Sequence, residues 1–141
     1  MTKKIIHTDN APKAVGAYSQ AIESNGFVFI SGQIAINPEV GKIDKNDIEG
    51  QTHQCLKNLQ AILTEAGLTF DNLVKVSIFL DDINNFSKVN EIYASYIGDS
   101  KPARACMQVA HLPLNALVEI EAIASKNWFI ILIISILNTK I

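Results

Sequence analysis

Only two cysteines occur in 141 residues, and no apolar leader follows the start MTKKIIHTDN, so the chain offers no disulfide framework and points to reduced thiols. That start also lacks the arginine-rich, acid-free character of a transit peptide, and the expected location is the cytoplasm. Charge of neither sign dominates. Twelve Lys and Arg against fourteen Asp and Glu give a formal net charge of -2, and the lysines are scattered rather than clustered. Such a balance provides no electrostatic footprint for a polyanion, and nucleic acid is not an expected partner. His7, His53 and His111 share no ligand-like spacing with one another or with Cys55 and Cys106, so no metal is expected. A glycine-rich phosphate loop, internal repeats and low-complexity linkers are missing too. The one long apolar run, Trp128 to Leu137, is about half of what a spanning helix requires, which excludes a membrane span.

What is present fits one domain. Two extended runs, Ala17 to Ser24 and Phe27 to Ser31, flank Asn25-Gly26, a pair suited to a type I′ hairpin turn because both of its central positions need positive φ. NPEVGKI reads as a turn with room for a short third strand. From Asp47 to Ala66 apolar residues recur at helical spacing, and Gly67 stands where a helix-ending glycine belongs. LVKVSIFL then alternates, with Val74, Val76, Ile78 and Leu80 on one face and Lys75, Ser77 and Phe79 on the other. After Asn84 and Asn85, either of which suits an N-cap, Phe86, Val89, Tyr93 and Tyr96 predict a second helix that Gly98 ends. The expected fold class is α+β in the order β-β-(β)-α-β-α-β-β, two helices on one face of a mixed sheet.

KPARACMQVAHLPLNALVEIEAIA, residues 101–124, reads as two more strands around a Leu-Pro turn. Alternation puts Arg104, Cys106 and Gln108 on one side, and Glu119 and Glu121 together on one side of the return strand. If the two strands pair as an antiparallel hairpin about His111 to Pro113, Arg104 lies across from Glu119 or close to Glu121. Spacing alone favours an ordinary cross-strand ion pair over a functional one.

This segment resembles the signature of the RidA, or YjgF-type, family of enamine/imine deaminases. The likeness combines Pro102-Ala103-Arg104, Cys106 two residues on, the Leu112-Pro113 turn and the closing EIEAIA from Glu119. It continues in NAPKAVGAYSQAI with Tyr18, in SGQIAINPEVGKI with Ser31 and Gly32, at the Gly67 helix end, and in VNEIYASYI with Asn90. It covers about Met1 to Ala124, so residues 1–124 are the expected deaminase domain and 125–141 an atypical apolar tail. Three readings of that tail stand open: an added strand or short helix packed on the domain, an interfacial anchor, or a terminus altered by a reading-frame or gene-model error.

The resemblance implies a chorismate-mutase-like fold, a homotrimer with substrate sites in the clefts between subunits, and hydrolysis of 2-aminoacrylate or 2-iminopropanoate to a 2-oxo acid and ammonia without a cofactor. The residues carry chemistry that agrees. A planar guanidinium matches a carboxylate in bidentate fashion, which assigns Arg104 to the substrate carboxylate. Attack of water on an imine needs a group to take its proton, and the motif prefers Glu119 where spacing leaves Glu119 and Glu121 equal. Tyr18, Ser31, Gly32, Asn90 and Cys106 are the implied substrate contacts. Cys106 is expected to line the pocket rather than act as nucleophile, since an imine is electrophilic enough for water and no histidine is placed to activate the thiol. The rival from another class is a non-catalytic ligand-binding or regulatory trimer of the same fold. A ribonuclease reading, also attached to the family, ranks third because the chain has neither a basic patch nor a histidine pair.

Overall fold

The computed structural model describes residues 3–126. The tail therefore lies, from residue 127 on, outside the described residues. Eight strands and two helices follow in the order β1 (Lys4–Ile6), β2 (Ala21–Ser24), β3 (Phe27–Ile34), β4 (Ile36–Asn37), β5 (Lys42–Ile43), α1 (Ile48–Glu65), β6 (Leu73–Leu80), α2 (Phe86–Ile97), β7 (Ala103–Gln108) and β8 (Val118–Ser125). Six strands form one sheet in the order β1-β2-β3-β8-β6-β7, and β4 and β5 make a separate small hairpin. All neighbours in the large sheet run antiparallel except β6 and β7, which are parallel. The expected α+β class and mixed sheet are what the chain adopts, with β1 as an edge strand that the polar start did not announce.

Local chemistry explains the elements. Asn25 and Gly26 take φ of 52° and 78°, closing the β2–β3 hairpin with Ser24 opposite Phe27. Asp47 caps α1 by accepting from the Gly50 N–H at 2.7 Å. At the other end the Gly67 N–H reaches the Thr64 carbonyl and the Leu68 N–H the Leu63 carbonyl, a Schellman closure that needs the positive φ of 74° at Gly67. Cys55, Leu56, Leu59, Ile62 and Leu63 are fully buried where α1 crosses β3 and β8, the centre of the core. Each such side chain contributes about 1.5–3 kcal/mol by leaving water.

Four details differ from the sequence expectation. The stretch before Ala21 is a loop rather than a strand: the Ser31 hydroxyl donates to the Ser19 carbonyl at 2.7 Å, and the buried Gln20 amide turns back onto the loop at 8–12. In β6 the buried face begins at Leu73, because a register shift between Leu73 and Lys75 expels Val74 to solvent. Asn85 stands at the start of α2 with helical φ and ψ and no side-chain cap; Asp82 does the capping one turn earlier, accepting from the Asn84 N–H.

The fourth is the largest. The strands β7 and β8 do not form a hairpin, since β6 lies between them and pairs with both. The turn at Pro113–Asn115, with Leu114 and Asn115 at positive φ, is part of a crossover that skips one strand position. Ladder partners share a sheet face. Arg104 pairs with the fully buried Val76, whereas Glu119 pairs with Phe79 and Glu121 with Ser77. Arg104 thus lies on the helix side of the sheet, and both glutamates lie on the open side.

Candidate active site

The arginine side is built by β7 and α2. Arg104 stands on an edge strand, and its guanidinium lies 4.9 Å from the Tyr93 ring centroid and 5.5 Å from that of Phe86. Nη1 donates to Asn90 Oδ1 at 2.7 Å. Phe86, Asn90 and Tyr93 recur at four and three along α2, so one helical stripe supplies both rings and the acceptor. The fork is braced in one orientation while its remaining donors have no hydrogen-bond partner among the described residues, as a carboxylate ligand needs. Arg104 and Cys106 share one cleft with Phe86, Asn84 and Ser87, and Arg104 borders a second with Asn90, Tyr93, Lys101 and Pro102. Burial pushes the Cys106 thiol above its ordinary value, with the Arg104 cation acting in the opposite direction. A protonated thiol is a poor nucleophile. Cys106→Ser is therefore expected to keep kcat/KM within about tenfold of wild type; loss of all turnover in a folded Cys106→Ser protein would demand a covalent route instead.

The glutamate side is built by a bulge. Between the pairs Ile30–Ala122 and Gln33–Ile120, the two residues Ser31 and Gly32 oppose the single residue Glu121. The irregularity brings the Gly32 backbone against the Glu119 side chain. A Cβ at Gly32 would run into the Glu119 carboxylate, with its Cδ 2.8 Å away. Glycine here leaves the volume that the carboxylate occupies. Tyr18, Ser31, Gly32 and Glu119 line one cleft of about 420 Å³ together with Pro12, Lys13 and Pro113. Tyr18 is more than half exposed on its loop, free of the strand role that its sequence setting suggested.

Burial lifts the Glu119 carboxyl above the ordinary carboxylate range, and the charge of Glu121 on the same face lifts it further. A carboxylate raised toward neutrality is a better base for a water proton. The sign for stability follows: the folded chain holds this proton more tightly than the unfolded one, so its contribution is complete at low pH and is lost as pH rises through the folded pKa. Glu121→Gln removes the like charge and lowers the Glu119 pKa. The acid limb of the kcat/KM profile should then move to lower pH, and an unmoved limb would show that Glu119 is not the group titrating.

The structure thus gathers the expected residues into two groups: Arg104, Asn90 and Cys106 on one side, Tyr18, Ser31, Gly32 and Glu119 on the other. It does not bring Arg104 to Glu119 within one chain. Phe86 and Tyr93 were not singled out from sequence for contact with Arg104, because at helical spacing an aromatic reads as core. Among the described residues, no cluster of His, Cys, Asp and Glu is grouped as a metal site would require.

A mixed six-stranded sheet with two helices on one face, an arginine cleft at its edge and a glutamate cleft on its open side, places the chain in a small α+β class. The chain belongs to the RidA/YjgF-type family: a family model described as Endoribonuclease L-PSP matches residues 8–126. The mouse 2-iminobutanoate/2-iminopropanoate deaminase is 46% identical over 128 residues, covering 91% of this chain and 95% of that one. A Yersinia pestis protein of the conserved Rid family superposes with a TM-score of 0.86 at 54% identity, covering 88% of this chain and 99% of that one. E. coli TdcF with bound serine superposes with a TM-score of 0.84 at 39% identity, covering 88% and 99%.

Proposed function

We propose that the chain hydrolyses 2-imino acids of the 2-iminopropanoate type, and their enamine tautomers such as 2-aminoacrylate, to 2-oxo acids and ammonia, as a homotrimer with its sites between subunits. One observation carries the reading: the two groups that this chemistry needs lie on opposite faces of the sheet, each at an open cleft, so a small substrate meets both only when a neighbouring copy supplies one of them. The open face also needs a cover. Phe29 and Met107 are 46% and 43% exposed there, and Phe27 and Val74 join them.

In the assembled cleft the substrate carboxylate takes the remaining donors of Arg104, with the guanidinium braced by Asn90, Tyr93 and Phe86. The imine carbon then faces Glu119 of the neighbouring copy. Water attacks that carbon while Glu119 accepts one of its protons. That proton passes to the imine nitrogen to complete the carbinolamine; Glu119 then takes the carbinolamine hydroxyl proton and hands it to the amine nitrogen, the C–N bond breaks, and ammonia leaves with a C=O in place of C=N. The Tyr18 hydroxyl closes the cleft from its loop. No cofactor enters this sequence. The cytoplasm, which keeps Cys55 and Cys106 reduced, is the proposed location, and among the described residues no helix is long and apolar enough to cross a membrane.

The mouse relative's name and the serine bound in the TdcF structure support an amino-acid-like ligand with a carboxylate. The ribonuclease reading finds less support: His53 is turned to Tyr96 and His7 to Asp9, and neither lines a cleft with Arg104 or Glu119. The test is ammonia release from 2-iminopropanoate generated in situ by an amino-acid oxidase, with the mass followed by light scattering. Trimeric protein that accelerates release supports the proposal. Tight binding of 2-oxo acids without acceleration would favour the non-catalytic trimer.

Every cleft residue named above precedes Ala122, and we propose that 125–141 contributes nothing to the site. Truncation after Lys126 should leave kcat/KM within about twofold; a soluble truncated trimer without activity would assign the tail a role in the cleft.

A further inference from the structure

The cleft that bears Glu119 holds a cation for which the proposed reaction has no use. Lys13 lines its wall with Pro12 and Tyr18. Among the described residues it forms no ion pair.

Its backbone is not a loose loop. Gln20, 2% exposed, donates through Nε2 to the carbonyls of Thr8 at 2.9 Å and Pro12 at 2.8 Å, with Ala11 at 3.3 Å, and its Oε1 accepts from the Thr8 N–H at 2.8 Å. A buried amide that spends both its donors and its acceptor on one turn fixes where that turn lies. The carbonyl of Pro12, the residue directly before Lys13, is one of its anchors. The root of Lys13 is thus anchored at the wall of the cleft.

In the single chain the Glu119 cleft measures about 420 Å³ before a neighbouring copy covers it, which leaves room beyond the three carbons of the smallest imine. With the 2-carboxylate assigned to Arg104 and the imine carbon to Glu119, the substrate's side chain is the part left to occupy the remaining volume. Facing a lone ammonium, the side chain that gains most carries an anion of its own.

We propose that Lys13 is a specificity residue, and that this chain favours imino acids whose side chain ends in a second carboxylate. The inference rests on the deaminase reading of the same site. Its test compares ammonia release from the imines of glutamate, leucine and alanine, each generated in situ, for wild type, Lys13→Met and Lys13→Arg. Met keeps the stem and removes the charge; Arg keeps the charge.

Wild type should prefer the glutamate imine to the leucine imine. Lys13→Met should lose about five- to tenfold in kcat/KM on the glutamate imine while staying within about twofold on alanine, and Lys13→Arg should keep most of the preference. A Lys13→Met protein that loses equally on all three imines, or on none, overturns the proposal. Calorimetric binding of 2-oxoglutarate against 2-oxobutanoate separates the two readings. If no imine is turned over, the deaminase reading fails, yet a 2-oxoglutarate preference that vanishes in Lys13→Met sustains the second-carboxylate site; equal binding of the two removes it.

Discussion

Glu119→Gln should lower kcat by about 10² to 10⁴, the usual cost of losing an acid/base group, while a 2-oxo acid analogue binds nearly as well as to wild type. The amide fills the same volume beside Gly32, so the cleft keeps its shape and the folded chain loses no packing. What it cannot do is hold a proton from water. Its replacement also removes a carboxylate that burial and Glu121 make costly to ionise, so the variant should be no less stable than wild type at neutral pH. Parallel kinetics, analogue titration and thermal melts check all three. Lost binding with unchanged kcat would recast Glu119 as a substrate ligand.

Arg104→Ala should act in the other sense. It removes a charge-assisted bidentate contact worth on the order of 2–5 kcal/mol once the cleft is closed to water, so kcat/KM should fall by roughly 30-fold to several thousand-fold. Most of that loss should appear in analogue binding. Arg104→Lys should recover little, because an ammonium cannot offer the planar fork that Asn90, Tyr93 and Phe86 hold in place. Full activity in Arg104→Lys would mean that charge alone suffices and that the aromatic brace is incidental.

The residue identities of the site were open to reading long before their arrangement was. Asn25-Gly26 and Gly67 each name their turn or cap through a local requirement, and the structure places both as that requirement dictates. Alternation likewise put Arg104 with Cys106, and Glu119 with Glu121, correctly within each strand. Pairing between strands is another matter, since it is decided by which partner buries more surface. Ile78 and Leu80 gain cover from β7 and β8 at once only if β6 sits between them, and that non-local preference overrides the hairpin suggested by the short connection. The bulge at Ser31-Gly32 and the Gln20 latch escaped for the same reason: each is a meeting of segments distant in sequence.

The split of the site across two faces is the central claim, and mixed trimers test it most directly. Arg104→Ala and Glu119→Gln are each expected to be nearly inactive. Unfolded together in equal amounts and refolded as mixed trimers, they leave half of the arginine sides and half of the glutamate sides intact. If each site draws Arg104 from one subunit and Glu119 from its neighbour, about a quarter of the sites receive both native groups, and about a quarter of wild-type activity should return. A mixture that exchanges subunits, as mass measurement on tagged chains would show, yet stays as inactive as its parents would contradict a site shared between subunits.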